Sequence, residues 1–353
     1  MTIAAHPLVD RARRLADELL APNAERVDQG EVPVGHIDAV KRSGLLGVSA
    51  PTAYGGSAAP APVARETAEI LAGACCSTWF VQTQHHTPVQ VLAKSEAPVR
   101  ERLLGPLARG ELMSGVAYAH LRSHPRTPVR VTRGRGGRRF DGTVPWYTGW
   151  GLNDVLLLAG TTDSGEVVFA FTEARDQPGL RASRPMRLAA LTAARTVSLE
   201  LDGLWLPEEA VALRMPYESW AATDRDRTVN ASPAVFGVAE AALALLDEET
   251  AAPIRARLAE VRRRAYTLAD EPPASEEHLT ERLALRTQSY DVMRTATTAA
   301  VVAGGGRALS LDSKAQRLAR EGMFLLVQGQ TARSRGAHLD ALTGRGPQLA
   351  NGT

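Results

Sequence analysis

Apolar residues recur at helical spacing from the start of the chain. Leu8, Ala12, Leu15 and Leu19 fall on one face of an amphipathic helix, which Pro22 is expected to stop. A second helix runs through Ile37 and Val40 to Gly44, a natural left-handed cap. Others follow through Val63 to Leu71 and Val99 to Leu107, the last opened by Pro98 at a tolerated first-turn position. Residues 1–112 therefore read as an all-helical domain. The period changes after Met113: Val129 and Val131 alternate with Arg130 and Thr132, a glycine-rich turn follows, and Phe140 to Thr148 returns as a hairpin partner. An apolar run over Asp154 to Gly160, the segment Val167 to Phe171 after Gly165, and an alternating stretch from Thr196 to Leu201 add further short strands. Residues 113–212 thus read as a small β-domain, sandwich or barrel. Helical spacing then resumes over 213–353, through Val235, Val238, Ala242 and Leu245, then Ile254, Leu258, Val261, Ala265 and Leu268. Two long segments, His278 to Ala303 and Ser313 to Ala341, complete the pattern, with Glu271-Pro272-Pro273 separating the second helix from the third. Four long helices in succession favour a bundle, so the fold class is mainly α with a central β-domain.

Composition narrows the function without naming it. With 353 residues, 44% hydrophobic and 23% charged, the chain can bury a substantial core. Lys+Arg 41 against Asp+Glu 39 leaves a net charge of +2, so no large field favours nucleic acid or anionic lipid. The one basic run, Arg133, Arg135, Arg138 and Arg139, is interrupted by Gly134, Gly136 and Gly137 and reads as a solvated hairpin turn. Cys75 and Cys76 are the two cysteines, and sequence neighbours rarely form an unstrained disulfide, which points to a reducing compartment. No charged-then-apolar leader opens the sequence and no apolar run approaches a membrane span, so a cytoplasmic protein is expected, with neither nucleic acid nor membrane as partner. CxxC and HExxH motifs are absent and the clustered imidazoles are His85-His86, so no metal site is expected.

Helices, then a β-domain, then a bundle is also the layout of the acyl-CoA dehydrogenase superfamily, and the residues themselves resemble it over nearly the whole chain. Leu19-Leu20-Ala21-Pro22, then Gly44-Leu45-Leu46-Gly47-Val48, then Pro51-Thr52-Ala53-Tyr54-Gly55-Gly56 is similar to the family's N-terminal pattern. Gly142-Thr143-Val144-Pro145-Trp146-Tyr147-Thr148 resembles the family's Gly-x-Lys-x-Trp-Ile-Thr segment, with Val144 in place of Lys. Met186-Arg187, Thr192 and Val197 to Pro207 resemble the strand leading out of the β-domain. The resemblance implies FAD between β-domain and bundle, with Trp146 against the ring and Thr148 donating toward its redox-active edge. Donors fixed there stabilise the electron density that the ring gains on reduction. Read from the residues alone, Trp146, Tyr147 and Trp150 could equally form a sheet-to-core aromatic cluster. The resemblance places His120, in Tyr118-Ala119-His120-Leu121, over the ring, and it adds Tyr118 to the cofactor set. It also implies a homodimer or homotetramer, since the family completes its cofactor site across subunits.

The sequence departs from the family at the chemistry. Family dehydrogenases need a carboxylate to remove the α-proton of a thioester, usually the Glu of a Tyr-Glu-Gly-Thr segment. Here the matching segment is Val327-Gln328-Gly329-Gln330-Thr331, and Gln328 has no basic form. In the family's alternative placement, at the start of the first bundle helix, counting back from Gly237 reaches Arg227 with Asp226 beside it. Asp226 is a candidate base and Asp224 a poorer one; a solvated Asp-Arg-Asp-Arg loop is the plainer reading. The family's Arg-x-x-Phe-Gly segment is missing, and its Gln-x-x-Gly-Gly survives as Gly304-Gly305-Gly306, either a backbone cradle for a pyrophosphate or a helix end. His85 and His86, beside Trp79, Gln82 and Gln84, are candidates for proton transfer in the substrate cavity, with a buried, hydrogen-bonded histidine as the alternative. Three functions remain in competition: flavin-dependent dehydrogenation of an acyl thioester or related carbonyl compound with Asp226 as base, a flavin monooxygenase of the same fold using reduced flavin and oxygen, and a flavin-free thioester-binding or partner subunit.

Overall fold

A computed structural model describes residues 3–272 and 275–345. The expected helix breaker Pro273 and the C-terminal end of the expected bundle domain lie outside the described residues. Two compact units result, Met1–Ala221 and Ala222–Thr353. The change from helical to strand period near residue 112 is therefore not a boundary between compact bodies, because the helices before it and the sheet after it share a core.

The first unit begins with α1 (Pro7–Leu15) and α2 (Ala21–Gln29), joined by one wide π-type turn over Ala16–Leu20. Pro22 was expected to end the first helix; instead it occupies the first turn of α2, where its missing N–H is not required. The face Leu8, Ala12, Ala16, Leu20, Ala24 and Val27 stays buried throughout. Next come α3 (Val34–Arg42), closed by left-handed Gly44 at φ 76, and α4 (Ala61–Ala74). Two short helices, α5 (Cys76–Thr83) and α6 (His86–Lys94), fill the stretch before α7 (Val99–Ala108).

The strands are β1 (Ser114–Ala117), β2 (Val129–Gly134), β3 (Gly137–Tyr147), β4 (Val155–Thr161), β5 (Glu166–Glu173), β6 (Leu180–Ala182), β7 (Val197–Pro207) and β8 (Val211–Pro216). The expected hairpin is β2–β3, in register from Val129 opposite Gly142 to Gly134 opposite Gly137. All eight strands belong to one sheet of order β6-β7-β3-β2-β4-β5-β8, with β1 parallel to β4. Strand alternation divides its residues between two cores. Leu156, Leu158, Val168 and Ala170 join Phe140, Val144, Tyr147 and Leu199 inside the curled sheet. Leu157, Ala159, Val167, Phe169 and Phe171 face Val89, Leu92, Leu104 and Leu107 of α6 and α7.

The second unit contains the last turns of α8 (Tyr217–Thr228), then α9 (Pro233–Leu243), α10 (Glu248–Asp270), α11 (Glu276–Gly304), α12 (Lys314–Val327) and α13 (Ala332–Leu342). Helix α11 is central and packs against α9, α10, α12 and α13. Two expectations change here. The Asp224–Arg227 stretch is helix rather than loop. The single long helix expected from Ser313 to Ala341 is two, broken at Gln328 to Thr331, where Gly329 takes φ 63 and Thr331 with Ser334 forms a capping box opening α13.

Candidate functional site

The aromatic segment ends β3 in the first unit. Tyr147 is fully buried in the inner sheet core, edge-on to Trp150 at 5.9 Å, and burial holds its phenol well above the ordinary range. A register shift between Val144 and Tyr147 turns Trp146 outward, 54% exposed, whereas Thr148 is buried at 7%. The Thr148 hydroxyl meets that of Thr196 at 3.2 Å, and its carbonyl accepts from Asn153 Nδ2 at 3.0 Å. Asn153 and Thr196 carry no signal in the sequence, because each meets Thr148 only through the fold.

The histidines divide by environment. His85 is fully buried between α5 and α6, and its Nδ1 accepts the Ser114 N–H at 3.1 Å, tying the helices to β1. Burial, with His86 beside it, lowers its pKa to about 3, and the Leu107 backbone offsets this only in part. His85 is thereby a neutral structural ring. His86 is half-buried; its Nε2 accepts from the Gln82 amide at 2.8 Å, which leaves its proton on Nδ1, and burial lowers its pKa to about 4. His120 is buried and donates from Nε2 to the Ala159 carbonyl at 3.0 Å, with its pKa lowered by burial to about 4. Tyr118 lies in the core between sheet and helices, edge-on to Phe169 at 5.7 Å. In this unit Trp146 is the exposed member of the segment, Thr148 lies buried two residues on, and His85, His120 and Tyr118 are held in the interior.

The second unit holds the other candidates. Asp226 is partly exposed on α8, 3.2 Å from Arg225, while Asp224 is the interior carboxylate, 2.9 Å from Arg227. Gln328 is half-exposed at the end of α12. Helix α11 ends at Gly304; Gly305 follows at φ 56 with ψ −147, and no atom lies within 4 Å of where a Cβ on Gly305 or Gly306 would stand. The triplet is thus a helix end with open backbone. An open cavity of about 390 Å³ adjoins it, lined by Gly304, Arg307, Ala308, Ser310, Asp312 and Ser313. Among the described residues no group of three or more His, Cys, Asp or Glu side chains is placed to hold a metal ion.

Residues 4–111 match the family model described as acyl-CoA dehydrogenase, N-terminal domain. No curated protein matches the sequence. Among solved structures, butyryl-CoA dehydrogenase from Megasphaera elsdenii superposes with a TM-score of 0.81 at 16% identity, over 95% of this chain and 97% of that one. A glutaryl-CoA dehydrogenase from Mycobacterium smegmatis in complex with FADH2 gives 0.77 at 18% identity, over 97% and 95%. Dibenzothiophene monooxygenase from Paenibacillus sp. A11-2 gives 0.77 at 17% identity, over 97% and 98%. At such identities the likeness establishes the fold, and that fold serves both dehydrogenases and an oxygenase. The chain carries an acyl-CoA dehydrogenase N-terminal domain over residues 4–111 and has the acyl-CoA dehydrogenase fold along its length.

Proposed function

We propose that this protein is a flavin-dependent oxidoreductase that binds FAD against Trp146 and Thr148 and acts on an acyl thioester or a related carbonyl compound. The observation that carries the reading is the accessible Trp146, 54% exposed, beside a threonine whose carbonyl and hydroxyl are already anchored. A large aromatic face left in solvent at a sheet end suits a planar ring. Bound FAD would supply the two-electron acceptor. Trp146 would exclude water from one side of the ring, and Thr148 would donate where electron density rises. Asp226 is the proposed base, and Gln328, in the family's usual base position, would orient a carbonyl by donation. Part of the same proposal are a homodimer or homotetramer and a cytoplasmic location, the latter supported by the buried Cys75 and Cys76, which are not joined in a disulfide.

A second reading, oxygenation with reduced flavin, is favoured by one specific observation. The usual base position is an amide, and Asp226 is engaged by Arg225 at 3.2 Å. The visible spectrum of purified protein reconstituted with FAD tests the flavin, and anaerobic addition of acyl-CoAs tests the substrate class. If Asp226 is the base, Asp226→Asn slows substrate-driven flavin reduction by about a hundredfold with FAD affinity unchanged. Undiminished reduction, with an oxygen-dependent reaction lost on substituting His86, would replace dehydrogenation by oxygenation. Protein that stays colourless would leave the flavin-free reading.

A further inference from the structure

Thr148 is held at two points by residues with no role of their own so far. The first is Asn153, buried to 6% exposure, whose Nδ2 donates both to the Thr148 carbonyl and to the Tyr147 phenol oxygen, each at 3.0 Å. The fold is shaped around this amide. A Cβ on either Gly115 or Gly149 would stand 2.5 Å from Asn153 Nδ2, and Gly149 takes φ 84, so neither position admits a side chain as the structure stands. The Asn153 N–H also returns to the Gly149 carbonyl at 3.0 Å, closing the loop on itself.

The second point is Thr196, 4% exposed, whose hydroxyl lies 3.2 Å from that of Thr148. It follows Arg195, which takes the left-handed φ of 49. The 194–196 segment is stapled to the 148–150 segment by Gly149 N–H to the Ala194 carbonyl at 2.9 Å and Trp150 N–H to the Arg195 carbonyl at 3.3 Å. A hydroxyl has one hydrogen. If Thr196 donates to Thr148, the Thr148 hydrogen is free for an outside acceptor; if the bond runs the other way, that hydrogen is consumed inside the protein.

We infer that Asn153 and Thr196 clamp Thr148, Asn153 by its carbonyl and Thr196 by its hydroxyl, so that the Thr148 O–H donates outward to the flavin and biases it toward reduction; this rests on the flavin reading above. Asn153 and Thr196 are positioning residues, acting through Thr148. The clamp needs no movement on binding, since both partners are already in place, and a preoriented donor loses nothing to reorganisation.

The test measures the two-electron midpoint potential of FAD bound to full-length protein by equilibration with a reference dye. The variants are Thr196→Val, Thr148→Val, the double variant and Thr196→Ser, with melting temperatures confirming that each folds. In Thr196→Val, the reduced-to-oxidised ratio at a fixed potential should fall about tenfold, which is about 30 mV for a two-electron couple. Thr148→Val should lose as much, the double variant should lose no more than either single one, and Thr196→Ser should restore the wild-type value. An equal Thr196→Val shift in the Thr148→Val background, or no shift in the wild-type background, would overturn the clamp while leaving flavin binding intact. Wild-type protein that takes up no FAD would instead overturn the flavin reading, and the clamp with it.

Discussion

The Gln82 side-chain amide donates to Nε2 of His86 across 2.8 Å, four residues further along the chain, and so decides which ring nitrogen carries the proton. Burial already holds that ring neutral, with a pKa lowered to about 4. Replacing the amide with a carboxylate should reverse the balance, because an opposite charge in contact favours the imidazolium. Gln82→Glu is expected to move the His86 midpoint up by about two pH units, read from its ring-proton NMR shift. A midpoint that stays near its wild-type value would show that the two side chains do not pair in solution.

Stability should fall on mild acidification. His85 and His120 are buried with pKa values lowered to about 3 and about 4, so between those values and about 6.5 the unfolded chain binds protons that the folded chain refuses. Their contribution is complete above about pH 6.5 and is lost as pH falls through that window, by about 2 kcal/mol for each between pH 7 and pH 5. Urea melts at the two pH values measure the loss. His120→Asn should flatten the slope; an unchanged slope would remove His120 from the account.

On α12, Arg317 and Glu321 stand one turn apart, each 1% exposed, with Arg317 Nη1 2.8 Å from both Glu321 oxygens. Removing one partner takes the two-point hydrogen bond away from a buried charge. Glu321→Gln should cost about 3–5 kcal/mol in chemical denaturation, whereas replacing both with apolar residues, Arg317→Met with Glu321→Leu, should recover most of it. Additive losses in the double variant would contradict that account.

The stretch closing α11 exposes Val302 at 75%, Leu309 at 70% and Leu311 at 55%. Exposed apolar side chains this near one another in sequence suit the interface that the proposed homo-oligomer requires. Val302→Glu with Leu309→Glu should lower the sedimentation mass to that of one chain while the circular dichroism stays helical. An unchanged assembly would place the interface elsewhere.

Much of the fold was legible because periodicity reports burial directly. The alternation in β2 and the stripes on α1, α10 and α11 are one-sided, and one-sided burial leaves a pattern, while β4 and β5, buried on both faces, read as short continuous apolar runs. Helix α5 leaves none, since Cys76, Ser77, Thr78, Trp79, Val81 and Gln82 are all buried and no polar face remains to contrast with them. Strand β1 is four residues long and equally enclosed. Pro22 does not end the helix because the wide turn ahead of it places it in the first turn of α2.

By itself the sequence determined the order of helical, strand and helical segments, the hairpin about Gly136, and the Trp146 to Thr148 segment, because each depends on residues near one another in the chain. Only the tertiary structure decided that the helices up to α7 share a core with the sheet, that His85 and His120 are interior rings, and that Asn153 and Thr196 both hold Thr148. Thr196 is 48 positions from Thr148, and their contact exists only because β3 and β7 run antiparallel as sheet neighbours. Local spacing carries the energy of secondary structure; which hydroxyl meets which is set by strand register, and register is a property of the whole packed sheet.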